Sequence, residues 1–201
     1  MTDQERSAKA NSDVTFTMIG DGAESPRTAK DGRFHITALS TTLMGGANGS
    51  LLRIGRYSEG AVDLSSSRTA VLEEHLSDFA SMPVIEYFHQ RSDWFSFGEL
   101  PDASALADSW IVMIRGCFVG DVATSQATHD AIASAGAPPM REMGDIAHLP
   151  FTGVEDSSQF LSLDVWDNDE QIEAMYGNPE VTAPFTQLFA EPPTLQVFRC
   201  V

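Results

Sequence analysis

The second half of the chain alternates between short apolar blocks and polar breaks. Trp110-Ile111-Val112-Met113-Ile114 is apolar at every position, as a strand covered on both faces should be. Thr124 or Ser125 can cap a helix running to about Ala135, with Gly136 as a stop and Pro138-Pro139 preventing continuation. Met140 to Leu149 and Phe160 to Trp166 predict two further strands joined by the polar loop Thr152 to Ser158. A helical stretch from Glu170 to Tyr176 follows, and Asn178-Pro179 restarts it, Asn as cap and Pro at the first helical position. Pro184 is expected to kink or interrupt that piece, and Leu195 to Cys200, after Pro192-Pro193, reads as a last strand. The order strand, helix, strand, strand, helix, strand is the ferredoxin-like α+β unit, an antiparallel sheet with helices on one face.

The first half is less regular. Residues 1–32 read as a flexible tail, polar apart from the apolar run Val14 to Ile19. Residues 33–108 read as an N-terminal α+β domain and 109–201 as the ferredoxin-like one. Phe34 to Leu43 and Leu51 to Tyr57 predict strands around Gly45 to Ser50, where Asn48-Gly49 is a hairpin signal. That glycine loop lacks the Lys-Ser/Thr ending of a phosphate loop, so a plain turn is the simpler reading. Ser65 to Ser67 offer caps for a helix to about Ala80 with Leu72, Leu76 and Phe79 on one stripe; Val84 to His89 and Trp94 to Phe97 predict two strands, and Pro101 to Ser109 a short helix or linker. His75 and His129 both fall in mid-helix before a proline and two strands. The first half is thus a worn copy of the second, with no clear final strand unless Phe34 to Leu43 fills that place, or an unrelated α+β domain.

Charge and cysteine content narrow the function classes. Twelve basic residues against 29 acidic ones give a net charge of −17, which leaves no basic stripe for nucleic acid. No apolar run reaches the ~20 residues of a membrane span and the start lacks a secretion signal, so the expectation is a cytoplasmic protein with no membrane partner. Cys117 and Cys200 are too few for a disulfide framework and fall at opposite edges of the predicted sheet. The five histidines, His35, His75, His89, His129 and His148, show no metal-ligand spacing, so no metal is expected.

The stretch FLSLDVWDNDEQIEAMYGNPEVTAPFTQLF, Phe160 to Phe189, with GDIAH, Gly144 to His148, before it, resembles the dimeric α/β barrel superfamily of antibiotic-biosynthesis monooxygenase-like and EthD-like proteins. The likeness extends from about Trp110 to the end. It implies a pocket for a small, often aromatic molecule, in a homodimer or, if both halves are such units, an intrachain pseudo-dimer. Some members oxygenate their substrate without cofactor and others use haem; the expectation here is a monooxygenase-like protein for a small aromatic or quinol-type molecule, with no cofactor. A non-catalytic ligand-binding barrel and a dimerisation module are the alternatives.

Within that resemblance the acidic-x-Trp pair is Asp164 and Trp166, which share a strand face opposite Leu161, Leu163 and Val165. Asp164 can serve as acceptor or base and Trp166 can stack on a flat substrate; alternatively Trp166 is core and Asp164 pairs with Arg115. His129, at the border of its helix's apolar face, and His148 can move protons near neutral pH. Asp145 can orient one imidazole. Tyr176, like Arg115, completes the candidate pocket, though core packing is its simpler role.

Overall fold

The structure, a computed structural model, describes residues 13–21, 34–40, 50–58, 79–100, 106 and 108–200. Among the described residues there are eight strands: β1 (Asp13–Asp21), β2 (Phe34–Ser40), β3 (Ser50–Ser58), β4 (Val84–Gln90), β5 (Trp110–Cys117), β6 (Asp145–Gly153), β7 (Gln159–Trp166) and β8 (Thr194–Cys200). Three helices lie among them: α1 (Val122–Glu142), α2 (Ile172–Tyr176) and α3 (Pro179–Thr186). All pairings are antiparallel, and the strands close in the order β1-β3-β2-β8-β5-β7-β6-β4 into a barrel. The molecule is α+β, with an antiparallel sheet curled on itself, and closure is achieved within one chain.

The second half has the order β8-β5-β7-β6, the 4-1-3-2 order of the ferredoxin-like unit. Trp110 to Arg115 lie in register with Arg199 back to Thr194, so the first and last strands of that unit are bonded neighbours as the sequence led us to expect. The first half runs β4-β1-β3-β2, which is also 4-1-3-2. Its first strand is β1, within the stretch expected to be tail, and its fourth is β4, so neither Phe34–Ser40 nor a missing segment fills that place. The alternation Val14, Phe16, Met18 against Thr15, Thr17, Ile19 explains why so polar a segment is a strand: Thr15 and Thr17 are buried and Ile19 packs on the barrel core. The predicted helix up to residue 78, the glycine turn at 45–49 and most of the 101–109 segment lie outside the described residues; Phe79 and Ala80, expected to end that helix, are not helical.

Two further boundaries differ from expectation. Helix α1 does not stop at Gly136 but runs through Pro138 and Pro139 to Glu142, so residues 140–142 are helix and β6 starts at Asp145. Met140 is buried against Val112, Trp166 and Ile172, and Met143 N–H closes the last turn on the Pro139 and Met140 carbonyls; this packing and cap hold a turn that the prolines weaken. Asp121 supplies the N-cap, accepting from Thr124 N–H at 2.9 Å. Trp94 to Phe97 is a loop with one bridge, Phe97 to His148, because buried Trp94 packs on Phe118 and Phe160 and draws the segment over the helical layer. Pro184 sits inside α3 without ending it, and Asn178 caps α3 as expected.

Each central strand separates two cores. Ile111, Met113, Ala147, Leu149, Phe151, Leu161, Leu163, Val165 and Phe198 fill the barrel, as side chains of an eight-stranded barrel do. Val112, Trp166 and Val197 face outward, onto Met140, Ile172, Met175 and Tyr176 of the helices. Trp94, Phe118, Phe160, Leu188 and Phe189 form an aromatic group at one end of that outer layer.

Candidate active site

Alternation along β7 decides where the polar groups go. With Leu161, Leu163 and Val165 committed to the barrel, Phe160, Ser162, Asp164 and Trp166 must face the helices. On β6, His148 stands directly opposite Asp164 in the register. Helix α1 brings His129 over His148, and α2 brings Tyr176 over Asp164. All four are buried, His129 completely.

The polar atoms form a continuous chain. His148 Nδ1 lies 2.5 Å from Asp164 Oδ1, Tyr176 Oη donates to Asp164 Oδ2 at 2.7 Å and Ser162 Oγ donates to Asp164 Oδ1 at 3.1 Å. On the other side His148 Nε2 meets His129 Nε2 at 3.2 Å, and His129 Nδ1 meets Asp130 Oδ1 at 3.0 Å. Burial, and then the nearby His148, push the His129 imidazole down to about 4, so His129 is neutral at pH 7. Burial and the Asp164 carboxylate hold the Tyr176 phenol well above its ordinary value, which makes it a hydrogen-bond donor and not a base.

Asp145 lies in register with Trp166 and is fully enclosed, and apart from the Ala147 backbone N–H no donor reaches its side-chain oxygens. Burial, reinforced by Asp164, pushes its carboxyl up to about 9, so it is a neutral acid at pH 7. Gly144 precedes it at φ +108°, where an added Cβ would strike Asp167; only glycine makes this turn without strain.

A cavity of about 270 Å³ opens beside this array. His148, Ser162, Asp164 and Tyr176 form its polar end, and the rest is chiefly apolar, with Phe97, Phe160, Phe185, Phe189, Met140 and Met175 among its walls. At ~30 Å³ per water this is space for roughly nine waters, somewhat below the ~300–1,000 Å³ of drug-sized ligand pockets. It suits one small ring system with a polar group at one end.

Of the residues expected at the site, His148, Asp164 and Tyr176 line the cavity. His129 is behind them, touching His148 but not lining the cavity. Trp166 is core: its ring packs edge-on against Tyr176 at 6.0 Å. Asp145 does not bond either imidazole, and Arg115 is elsewhere, paired with Glu86 of β4 in a separate cleft that also takes in Gln159 and Thr194. The pairing of Arg115 with Asp164 is thereby excluded: odd-numbered positions of β5 point to the barrel side, away from Asp164. Ser162, Asp130 and Phe97 were not singled out from sequence. Ser162 could have been, since it is two residues before Asp164 on one strand. Asp130 could not, because adjacent helix positions do not ordinarily face a common partner.

Among the described residues no group of three or more His, Cys, Asp or Glu could hold a metal ion. At this cavity the described residues offer haem no free imidazole: His148 has both ring nitrogens engaged, by Asp164 and His129. Cys117 and Cys200 are free thiols, and burial raises that of Cys200 to about 12. No helix among the described residues is long and apolar enough to cross a membrane.

The fold and site together define a closed α/β barrel with a buried His-Asp-Tyr array at an apolar pocket. No protein-family model and no curated protein matches the chain. Three solved structures share the fold over nearly all of their length. An anthrone oxidase-like protein superposes with a TM-score of 0.64 at 11% identity, covering 96% of this chain and 93% of that one. A provisionally named monooxygenase from Lactobacillus acidophilus NCFM gives 0.59 at 13% identity, with 94% of each chain covered. Another from Fusobacterium nucleatum subsp. nucleatum ATCC 25586 gives 0.59 at 7% identity, covering 94% of this chain and 92% of that one. At these identities the likeness is one of fold.

Proposed function

We propose that the protein is a cofactor-independent, monooxygenase-like enzyme acting on a small aromatic or quinol-type molecule, as an intrachain pseudo-dimer. The observation that carries this reading is the polar end of the cavity, where Asp164, held by His148, Tyr176 and Ser162, faces a largely aromatic and aliphatic wall that also carries Thr182 and Thr186. A flat ring with one acidic O–H fits such a space, hydroxyl toward Asp164. A carboxylate or phosphate ester does not, because it would bring a second negative charge against Asp164 in a chain already at −17. The names of the structural neighbours point the same way.

In the reaction, Asp164 is the catalytic residue that draws the hydroxyl proton, and the Tyr176 and Ser162 hydroxyls with the His148 ring, all bonded to Asp164, hold its carboxyl toward the substrate. The electron-rich anion then reacts with dioxygen. For a ring CH2 conjugated to the hydroxyl, CH2 plus O2 gives C=O plus H2O. The four electrons come from the substrate carbon and the two hydrogens leave in the water, so no external reductant is needed. Two unpaired cysteines also suit a reducing, cytoplasmic setting.

The test is oxygen uptake with 18O2 and mass spectrometry of products over a panel of polycyclic phenols, quinols and hydroxyanthrones. Turnover of at least one, lowered by about 10²-fold or more in Asp164→Asn, is expected from the loss of general-base action. A second reading, a ligand-sequestering barrel, is favoured by the engagement of both His148 nitrogens inside the protein. Tight phenol binding with no oxygen uptake for any compound would select it.

A further inference from the structure

The outer half of the array, His129 and Asp130, touches no part of the cavity, yet its geometry is as well defined as the inner half. The two imidazole planes are nearly parallel, 16° apart with centroids at 5.3 Å, and their Nε2 atoms meet at 3.2 Å, within reach of an N–H···N bond. Trp94 and Phe160 pack on the His129 ring at 5.1 and 5.6 Å and hold it in that plane. Asp130 is the one member with substantial exposure, 31%, so the array runs from the cavity to the protein surface. Its Oδ1 also accepts the Phe95 backbone N–H at 2.7 Å. A residue adjacent to its partner on a helix has no natural line to it; the Phe95 bond fixes Asp130 in the rotamer that makes one.

Counting hydrogens gives the array a direction. Two nitrogens that face each other as a hydrogen bond need one hydrogen between them, and His129, neutral at pH 7, carries one ring hydrogen in all. If that hydrogen were on Nε2, bare Nδ1 would confront the Asp130 carboxylate, lone pair against lone pair. With it on Nδ1, Asp130 is satisfied, Nε2 is bare, and the hydrogen between the rings must belong to His148.

Resting on the proposed function, we infer that Asp130 and His129 are positioning residues for the site: Asp130, gripped by Phe95 N–H, holds the His129 hydrogen on Nδ1, so that His129 Nε2 accepts from His148 Nε2–H and sets the hydrogen bonding of the imidazole that abuts Asp164. The surface carboxylate thereby fixes the hydrogen pattern of a buried carboxylate on the far side of two rings. Asp164, with the Tyr176 and Ser162 hydroxyls donating to it, remains the acceptor for an incoming hydroxyl. Without Asp130 the His129 hydrogen is free to move to Nε2, the bond between the rings reverses, and His148 Nε2 turns from donor to acceptor.

Nitrogen-detected imidazole NMR on 15N-labelled protein without ligand at pH 7 tests this directly. Wild type should show His129 as the Nδ1–H tautomer, the minority form of a free imidazole. Asp130→Ala should shift it toward Nε2–H, and Asp130→Asn, whose amide oxygen still accepts from Nδ1–H, should restore the wild-type pattern. Binding of 2-naphthol, a bicyclic ring with one hydroxyl, should weaken about tenfold in Asp130→Ala and stay near wild type in Asp130→Asn. An Nε2–H tautomer in wild type, a tautomer unmoved by Asp130→Ala, or equal 2-naphthol affinity in both variants overturns the inference. The spectra require no turnover, so a protein that fails to take up oxygen removes the proposed reaction and leaves the tautomer result to stand or fall alone.

Discussion

Replacing Asp145 by Asn should stabilise the protein, and by an amount that grows with pH. A carboxyl that titrates near 4 in the unfolded chain and at about 9 in the folded one imposes no cost below pH 4. As pH rises the unfolded chain loses that proton and the folded chain keeps it. Stability then falls by roughly 1.4 kcal/mol per pH unit until the folded carboxyl also ionises. Between pH 4 and 7 the loss is about 4 kcal/mol, the largest single pH effect the buried cluster predicts. His129 runs the opposite way: titrating near 6.5 when unfolded and at about 4 when folded, it costs nothing above 6.5 and progressively more toward 4. In wild type the two slopes nearly cancel between pH 4 and 6.5, and stability declines from 7 toward 9. The neutral, isosteric Asn removes only the Asp145 slope. Urea titrations followed by circular dichroism at pH 5, 7 and 8.5 should therefore show Asp145→Asn gaining about 1 kcal/mol at pH 5, about 4 at pH 7 and more at 8.5. A gain that is the same at pH 5 and 8.5 would mean Asp145 does not keep its proton in the folded chain, and the account of the buried carboxyl fails.

Other perturbations follow from contacts already described. Tyr176→Phe leaves Asp164 Oδ2 without its phenolic donor and should cost ~1–3 kcal/mol in the same denaturation assay, since it strands a buried acceptor. Trp94→Ala removes the ring packed on Phe118, Phe160 and His129 and should cost ~3–5 kcal/mol by thermal or urea unfolding. Gly98→Ala places a Cβ on the Ile146 carbonyl at a residue with φ +69°; destabilisation above ~1 kcal/mol, with faster amide exchange at Phe97 and His148, is the expected outcome.

The second half of the fold was legible because β5, β7 and β8 each announce themselves by continuous or alternating apolar positions, and because Asn178-Pro179 is an unambiguous helix start. The site was legible where strand parity applies: Asp164 and its face follow from Leu161, Leu163 and Val165. It was illegible where a contact depends on three-dimensional packing. Nothing in the order of residues shows that Trp94 leaves the sheet to cover His129, or that Phe95 aims Asp130. β1 was missed because its apolar run is short and two of its three inward positions, Thr15, Thr17 and Ile19, are threonines, which read as polar although both are buried. The end of α1 was misjudged because Pro138 and Pro139 are strong local signals, and the burial of Met140, a tertiary effect, overrides them.

The two halves of the barrel are stitched together unequally. Within a half, β1 and β3 match over nine consecutive pairs and β5 and β7 over eight, whereas the joins between halves, β2 to β8 and β4 to β6, match over three each. The cylinder thus has two short zips on opposite flanks, and it is there that the wall should part first when the molecule breathes. Since both zips join one half to the other, two molecules opened along them can trade halves and reseal as a swapped pair with every strand still matched, the same wall woven from two threads.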